Sequence, residues 1–346
     1  MWDNLDYFDL LAQVLVPFFF FYTSKSAISP YCISAHKGEF MWIQTPGALN
    51  DRLMLFGTPR NNLYLVKGDR YMLIGGGGQW IVPELERQFR EYQIDMDRIQ
   101  YLLIAHSHYD HCGAVPYLLR RYPHLQVLAS REAEKIYGME KAIRNMHTFS
   151  HRVMQEMGLP LEFEGISLEF NKIRVDHALE DGDRVDLGTS LSFGVIETPG
   201  HSRCSLTLYE PQEKWLFPSD SMAVPVGKCD AFVCMASESF IDHLNSLKKL
   251  AALDIRVCAW EHFGVMTDED ARDIVRRVIR YTLAYKRQLL EHVGQVASVE
   301  ETARWAARNF LDSTGFEFVP FDVSLYTHRV MVKNALEERV NQSDYL

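Results

Sequence analysis

The segment His106-Ser107-His108-Tyr109-Asp110-His111 places three imidazoles and one carboxylate within six residues. With 13 histidines in 346 residues, such a string arises by accident roughly once in a thousand chains of this composition. A polar loop is a poor account of it, and a shared chemical task a better one. Imidazole and carboxylate donors suit a borderline divalent ion, zinc first, with iron or manganese also compatible. Three further segments each offer one ligand type: Thr198-Pro199-Gly200-His201-Ser202, Phe217-Pro218-Ser219-Asp220-Ser221 and Trp260-Glu261-His262-Phe263-Gly264. The remaining eight histidines stand outside these segments and read as surface or satisfied core residues. Cys112 follows a candidate ligand directly but reads as a small buried hydrophobe. Cys229 and Cys234 have no second pair to complete a structural zinc site. The run Gly75 to Gly78 lacks the Gly-Lys-Ser/Thr of a phosphate loop, so it is expected to bring backbone close beneath the histidine cluster.

Positioning these donors requires strands that end where the donors begin. Gln100 to Ala105 is a continuous apolar run stopping at His106, and similar runs, Ser190 to Glu197, Trp215 to Phe217 and Ile255 to Trp260, precede the other three segments. Leu63 to Val66 and Tyr71 to Ile74 flank Lys67-Gly68-Asp69-Arg70, a hairpin signal. Helical spacing marks Ile81 to Tyr92, Val115 to Tyr122 and Arg131 to Met157, with a strand at Gln126 to Ala129 between the last two. Short strands follow at Ile173 to Val175, Arg184 to Leu187 and Ser205 to Tyr209, implying a second sheet, and Phe240 to Leu253 is an amphipathic helix. From Thr267 onward the patterns are helical: Asp270 to Val293, Ser298 to Phe310 opened by the capping box Ser298-Val299-Glu300-Glu301, and Ser324 to Val340. The fold class is α/β with a helical C-terminal extension.

Composition removes several function classes. Thirty-six basic and 46 acidic side chains give a net charge of −10 without a basic tract, so no nucleic-acid partner is expected. Six dispersed cysteines lack the dense spacing of a secreted scaffold and point to reduced thiols in the cytoplasm. The apolar stretch from Leu10 to Tyr22 has only about 13 residues where a membrane span needs about 20. Preceded by Asp3, Asp6 and Asp9, it is a poor signal peptide too. Residues 1–40 are therefore expected to lie outside the catalytic fold, so that a chain starting at Met41 folds and loads metal as the whole chain does.

The four ligand-bearing segments, in this order and spacing, resemble those of the metallo-β-lactamase superfamily across residues 60 to 264. That resemblance implies an αββα sandwich at residues 41–266 and a helical lid at 267–346. It implies two divalent metal ions, zinc or iron, with manganese also compatible. His106, His108 and His201 would hold one ion, Asp110, His111 and His262 the other, and Asp220 would bridge them. The implied reaction is hydrolysis by a hydroxide bridging the ions, with Asp110 also orienting or deprotonating the attacking water. Two departures stand out. Leu73-Ile74-Gly75-Gly76-Gly77-Gly78 lacks the Asp often found there, and Trp260-Glu261 precedes His262 where Pro-Gly is commoner. Locally, His108 to Gly113 with Pro116-Tyr117-Leu118, and Gln126 to Ser130, are similar to the alkylquinolone-pathway thioesterases of pseudomonads; the helical tail is similar to that of glyoxalase II-like thioesterases.

The superfamily does not dictate its substrate. The leading expectation is a small-molecule thioester or related ester with an apolar or aryl acyl group, walled by Tyr281, Tyr285, Trp305 and Phe310. A coenzyme A moiety could be held by Arg276, Arg277 and Arg280. The alternatives are a phosphodiesterase of the same fold, a lactonase, and a di-iron redox or regulatory protein. His108 stands where redox relatives carry Glu, which favours hydrolysis. A homodimer is left open.

Overall fold

The computed structural model describes residues 42–346 apart from 189, 227–230, 315, 317 and 318. The first forty residues, with the Phe18 to Phe21 run, and Cys229 lie outside the described residues.

Two seven-stranded sheets pack face to face. In chain order the strands are β1 (Trp42–Ile43), β2 (Gly47–Ala48), β3 (Leu53–Thr58), β4 (Asn61–Lys67), β5 (Tyr71–Ile74), β6 (Ile99–Leu103), β7 (Gln126–Ser130), β8 (Glu162–Phe163), β9 (Ile166–Ser167), β10 (His177–Leu179), β11 (Arg184–Gly188), β12 (Leu191–Glu197), β13 (Leu206–Glu210), β14 (Trp215–Phe217), β15 (Val224–Val226), β16 (Ala231–Val233), β17 (Val257–Ala259) and β18 (Val265–Thr267). The first sheet runs β10-β7-β6-β5-β4-β3-β2, and the second runs β1-β18-β17-β14-β13-β12-β11. β8–β9 and β15–β16 are separate hairpins.

Side-chain alternation builds three layers of core from these strands. Leu53, Leu55, Tyr64 and Val66 face the second sheet, where they meet Phe193, Val195, Leu208 and Phe217. Their neighbours Met54, Phe56, Leu63 and Leu65 face outward, onto Val82, Leu85 and Phe89 of helix Val82–Glu91 and Val115 and Leu118 of helix Val115–Arg121. A strand covered on both faces loses the polar half of its alternation, which is why these segments are apolar throughout. On the far side, Leu216, Cys258 and Met266 of the second sheet meet helix Phe240–Leu250 and the tail helices Ile274–Val296, Val299–Thr314 and Phe321–Glu337. The order is helix, sheet, sheet, helix, with the C-terminal helices sharing the outer core of the second sheet.

Local signals hold at several boundaries. The hairpin β4–β5 pairs Lys67 with Tyr71 across Gly68-Asp69-Arg70. Ser298 Oγ accepts from Glu301 N at 3.1 Å, as its capping position requires. Elsewhere tertiary pairing overrides the pattern. Ile173 to Val175 forms no strand: buried Ile173 packs on the helical side of the first sheet. The strand lies instead at β10, parallel to β7, so it closes the first sheet rather than opening the second. The tail helix starting near Asp270 breaks at Asp273, separating Asp268–Arg272 from Ile274–Val296. Among the described residues, no helix is long and apolar enough to cross a membrane.

Candidate metal centre

Four strands deliver the donors to one end of the sandwich. β6 leads to His106, β12 to His201, β14 to Asp220 and β17 to His262. β12 and β14 each pair antiparallel with β13, and β14 pairs parallel with β17, so these three end on the same side. His108 precedes the one-turn helix Tyr109–Cys112, which carries Asp110 and His111. Ser219 and Phe263, each next to a donor, adopt left-handed backbone (φ 48° and 58°), the kind of local strain held in place where a side chain must be aimed. The glycine run lies against the His111 turn, where Gly76 N donates to His111 O at 3.0 Å. A Cβ at Gly76 would stand 2.5 Å from that same oxygen.

All seven donors foreseen from the sequence converge. His106, His108 and His201 form one group, and Asp110, His111 and His262 another; in each, the donor atoms lie within 4.8 Å of one another. Asp220 sits between, its Oδ2 3.2 Å from His111 Nε2, 3.4 Å from His201 Nε2 and 3.8 Å from His106 Nε2, and its Oδ1 3.7 Å from His262 Nε2. Asp110 Oδ2 is 3.5 Å from both His111 Nε2 and His262 Nε2.

The outward nitrogens are anchored. His111 Nδ1 donates to Glu261 Oε2 (2.9 Å), His201 Nδ1 to Met235 O (3.0 Å) and His262 Nδ1 to Arg60 O (2.5 Å), while His106 Nδ1 meets Ser219 Oγ (3.3 Å). These four rings therefore turn Nε2 inward, and His108 turns Nδ1 inward, 2.9 Å from His201 Nε2. None of these partners was foreseen. Two are backbone carbonyls, which carry no residue signature; Glu261, a carboxylate at a buried strand end beside a ligand, was visible in the sequence.

A divalent ion fits this arrangement. Zinc–nitrogen bonds of about 2.0–2.1 Å in tetrahedral geometry set ligand atoms about 3.3 Å apart, within the 2.9–3.8 Å spread of the inward contacts. His106 Nε2 and Asp220 Oδ1 are buried and have no hydrogen-bond partner, a costly state unless a cation meets them. Electrostatics agree. Burial opposes charge on Asp110 and Asp220, yet the His111 and His262 imidazoles hold both well below the usual carboxylate range. Burial likewise opposes charge on His262, but Asp220 and Asp110 push it up to about 9, and the same carboxylates with Glu261 hold His111 well above its ordinary value. Burial lowers His106, and takes His201 down to about 3.

The superfamily model for metallo-β-lactamases matches residues 57–262, more than half of the chain. The chain belongs to the metallo-β-lactamase superfamily. It is 28% identical over 122 residues to hydroxyacylglutathione hydrolase of Legionella pneumophila (strain Paris), a match covering 35% of this chain and 33% of that protein. The chain thus spans about a third of the length of the first curated relatives it matches. A metallo-β-lactamase fold-containing protein of Sulfurisphaera tokodaii is 23% identical over 187 residues, 53% of this chain and 68% of that one. In structure, a metallo-β-lactamase family protein from Thermus thermophilus superimposes with a TM-score of 0.57 at 21% identity, covering 81% of this chain and 93% of that one.

Around the superfamily centre the aromatic side chains form separate arrays. Trp80, Tyr109 and Phe149 make a row, with Trp80–Tyr109 centroids 6.1 Å apart and Tyr109–Phe149 5.9 Å apart. Phe316 packs 4.9 Å from His262, 5.2 Å from Phe263 and 5.1 Å from Phe310. Of the four tail aromatics singled out in the sequence, Phe310 reaches the centre through Phe316. Tyr281 and Tyr285 stack on each other, and Trp305 stacks on His292. The foreseen arginine trio is partly engaged: Arg277 lies over the Phe232 ring at 5.6 Å, and Arg280 is 3.3 Å from Asp273.

Proposed function

We propose that the protein is a dinuclear metal-dependent hydrolase of a thioester or related ester with an apolar or aryl acyl group. The observation that carries this reading is the convergence of five imidazoles and two carboxylates, in two adjoining trios joined by Asp220, at one end of the sandwich. His106, His108 and His201 would hold one ion, Asp110, His111 and His262 the other, zinc or iron, with Asp220 shared. Two such ions supply a water acidified toward neutral pH and positive charge opposite the oxygen that becomes negative in the transition state.

The chain's own residues do the rest. Asp110 is the more exposed of the two donor carboxylates, at 13% against 4% for Asp220, so it is the one that faces incoming substrate. Held ionised by the neighbouring imidazoles, it accepts a hydrogen bond from the attacking water and orients it. Partly exposed His108 and Tyr109 mark the approach. The Trp80-Tyr109-Phe149 row and the Phe263-Phe316-Phe310 group offer apolar walls for an acyl or aryl part. The helices after residue 267 act as the cover that brings in Phe310 and Phe316, while residues 41–266 form the catalytic unit. A thiolate leaves without strong general-acid help, which suits a site whose buried carboxyls are ionised. The similarity to a hydroxyacylglutathione hydrolase, named for a thioester substrate, adds support.

The test is a panel assayed with zinc-loaded and iron-loaded protein: aryl- and acyl-coenzyme A thioesters, S-acyl-glutathiones, acyl-homoserine lactones, a chromogenic cephalosporin and bis(p-nitrophenyl) phosphate. The highest kcat/KM is expected on a thioester. Higher efficiency on the phosphodiester, the lactone or the cephalosporin overturns the thioesterase reading, and turnover of none overturns hydrolysis.

A further inference from the structure

Of the four anchored imidazoles, His111 is the one whose outward nitrogen meets a carboxylate. Glu261 Oε2 sits 2.9 Å from His111 Nδ1, whereas His106, His201 and His262 meet a hydroxyl or backbone carbonyls. We propose that Glu261 is a positioning residue that locks the ring orientation and tautomer of His111 and thereby sets the affinity of the ion position formed by Asp110, His111 and His262. The inference rests on the metal-centre reading above.

The fold builds this contact from both sheets. Glu261 follows β17 of the second sheet, yet its carbonyl accepts from Asn62 N of β4 in the first sheet at 2.7 Å. Asn62 Oδ1 in turn accepts from Gly264 N at 2.7 Å, and Trp260 N donates to Gly264 O at 3.1 Å, closing the turn. The carboxylate then lies over Gly75, where a Cβ would stand 3.0 Å from Glu261 Oε2 and 3.3 Å from Asn62 O. Gly75, at φ +97°, thus leaves room that any other residue would take from Glu261. His111 is gripped twice: its backbone oxygen by Gly76 N, its ring by Glu261.

A purely structural ion pair explains this less well. Glu261 is 2% exposed and its Oε1 has no hydrogen-bond partner. A buried carboxylate with one bare oxygen is costly unless positive charge stands close by. His111 is the route to such charge, because its Nε2 points at Asp220 (3.2 Å), Asp110 (3.5 Å) and His262 Nε2 (3.0 Å). With Nδ1–H committed to Glu261, the Nε2 lone pair faces inward, and the carboxylate makes that lone pair a stronger donor.

The experiment uses the full chain stripped of metal, as it stands and as Glu261→Gln and Glu261→Ala, titrated with zinc by calorimetry. The unchanged chain is expected to bind two equivalents. In Glu261→Ala one equivalent, the ion held by Asp110, His111 and His262, loses about 10–100-fold in affinity while the other is unchanged. Glu261→Gln, which keeps an acceptor oxygen, recovers part of the loss. Long-range 1H–15N spectra of the loaded protein report His111 as Nδ1-protonated in the unchanged chain and in Glu261→Gln, and lose that pattern in Glu261→Ala. Unaltered binding of both equivalents in the variants overturns the proposal, as does equal weakening of both with a lower melting temperature. Should Glu261→Ala fail to fold, Glu261→Gln decides alone, by selective weakening of one equivalent or by none. Uptake of fewer than two equivalents by the unchanged chain overturns the metal centre itself, and the role of Glu261 with it.

Discussion

Replacing Asp220 by Asn keeps the size of the side chain and removes one charge from the middle of the cluster. Its oxygens approach His111, His201, His262 and His106 within 3.2 to 3.8 Å. In the metal-free protein burial works against a charged His262, and Asp220 is the larger of the two carboxylate influences that nonetheless push it up to about 9. From an ordinary value near 6.5, that rise is on the order of 3 kcal/mol in favour of the imidazolium. With the charge gone, burial is expected to dominate, and His262 should titrate at or below its ordinary value. Histidine 1H–15N spectra of chelator-treated Asp220→Asn, followed against pH, measure this directly. The same variant should bind fewer than two equivalents of zinc and lose hydrolysis while its circular dichroism is unchanged. A His262 that still titrates near 9 would show that Asp220 is not the source of the shift. Two tightly held equivalents with full activity would sink the ligand assignment.

Three other expectations follow from the structure. Because His262 is raised to about 9 and His111 lies well above its ordinary value, zinc must displace a proton from each: apparent affinity should climb with pH through about 9. Calorimetry in buffers of differing ionisation enthalpy counts the protons released, and pH-independent uptake would contradict it. In the metal-free protein the sign for stability is opposite. The raised His262 contributes fully below its unfolded value of about 6.5 and the contribution is lost as pH rises through about 9, so the melting temperature should fall across that window. At Gly200, φ +131°, a Cβ would stand 2.3 Å from the backbone of His243. Gly200→Ala should therefore cost about 1–3 kcal/mol and, through the adjacent His201, weaken the trio it shares with His106 and His108; an unchanged melting temperature and zinc titration would refute this.

The candidate donors, which the fold brings together, were legible in the chain because their determinants are local. His106 to His111 is dense in donors within a few residues, and an apolar strand-length run before each segment announces a strand end. Helix caps such as Ser298 act over three residues and are equally readable. The apolar run Ile173 to Val175 stays irregular and the strand falls at β10, because β10 forms where β7 offers an edge, which its own three residues do not encode. At the centre the same division holds. Which residues could bind an ion follows from side-chain chemistry. Which nitrogen of His106, His111, His201 and His262 faces inward depends on Ser219 Oγ, Glu261, Met235 O and Arg60 O, brought from 34 to 202 residues away. A backbone carbonyl looks the same at every residue, so these partners exist only once two sheets are packed and their ends meet. The approach of Phe316 to His262, closing one side of the centre, is likewise a product of the tail helices docking on the second sheet, and no spacing within the chain anticipates it.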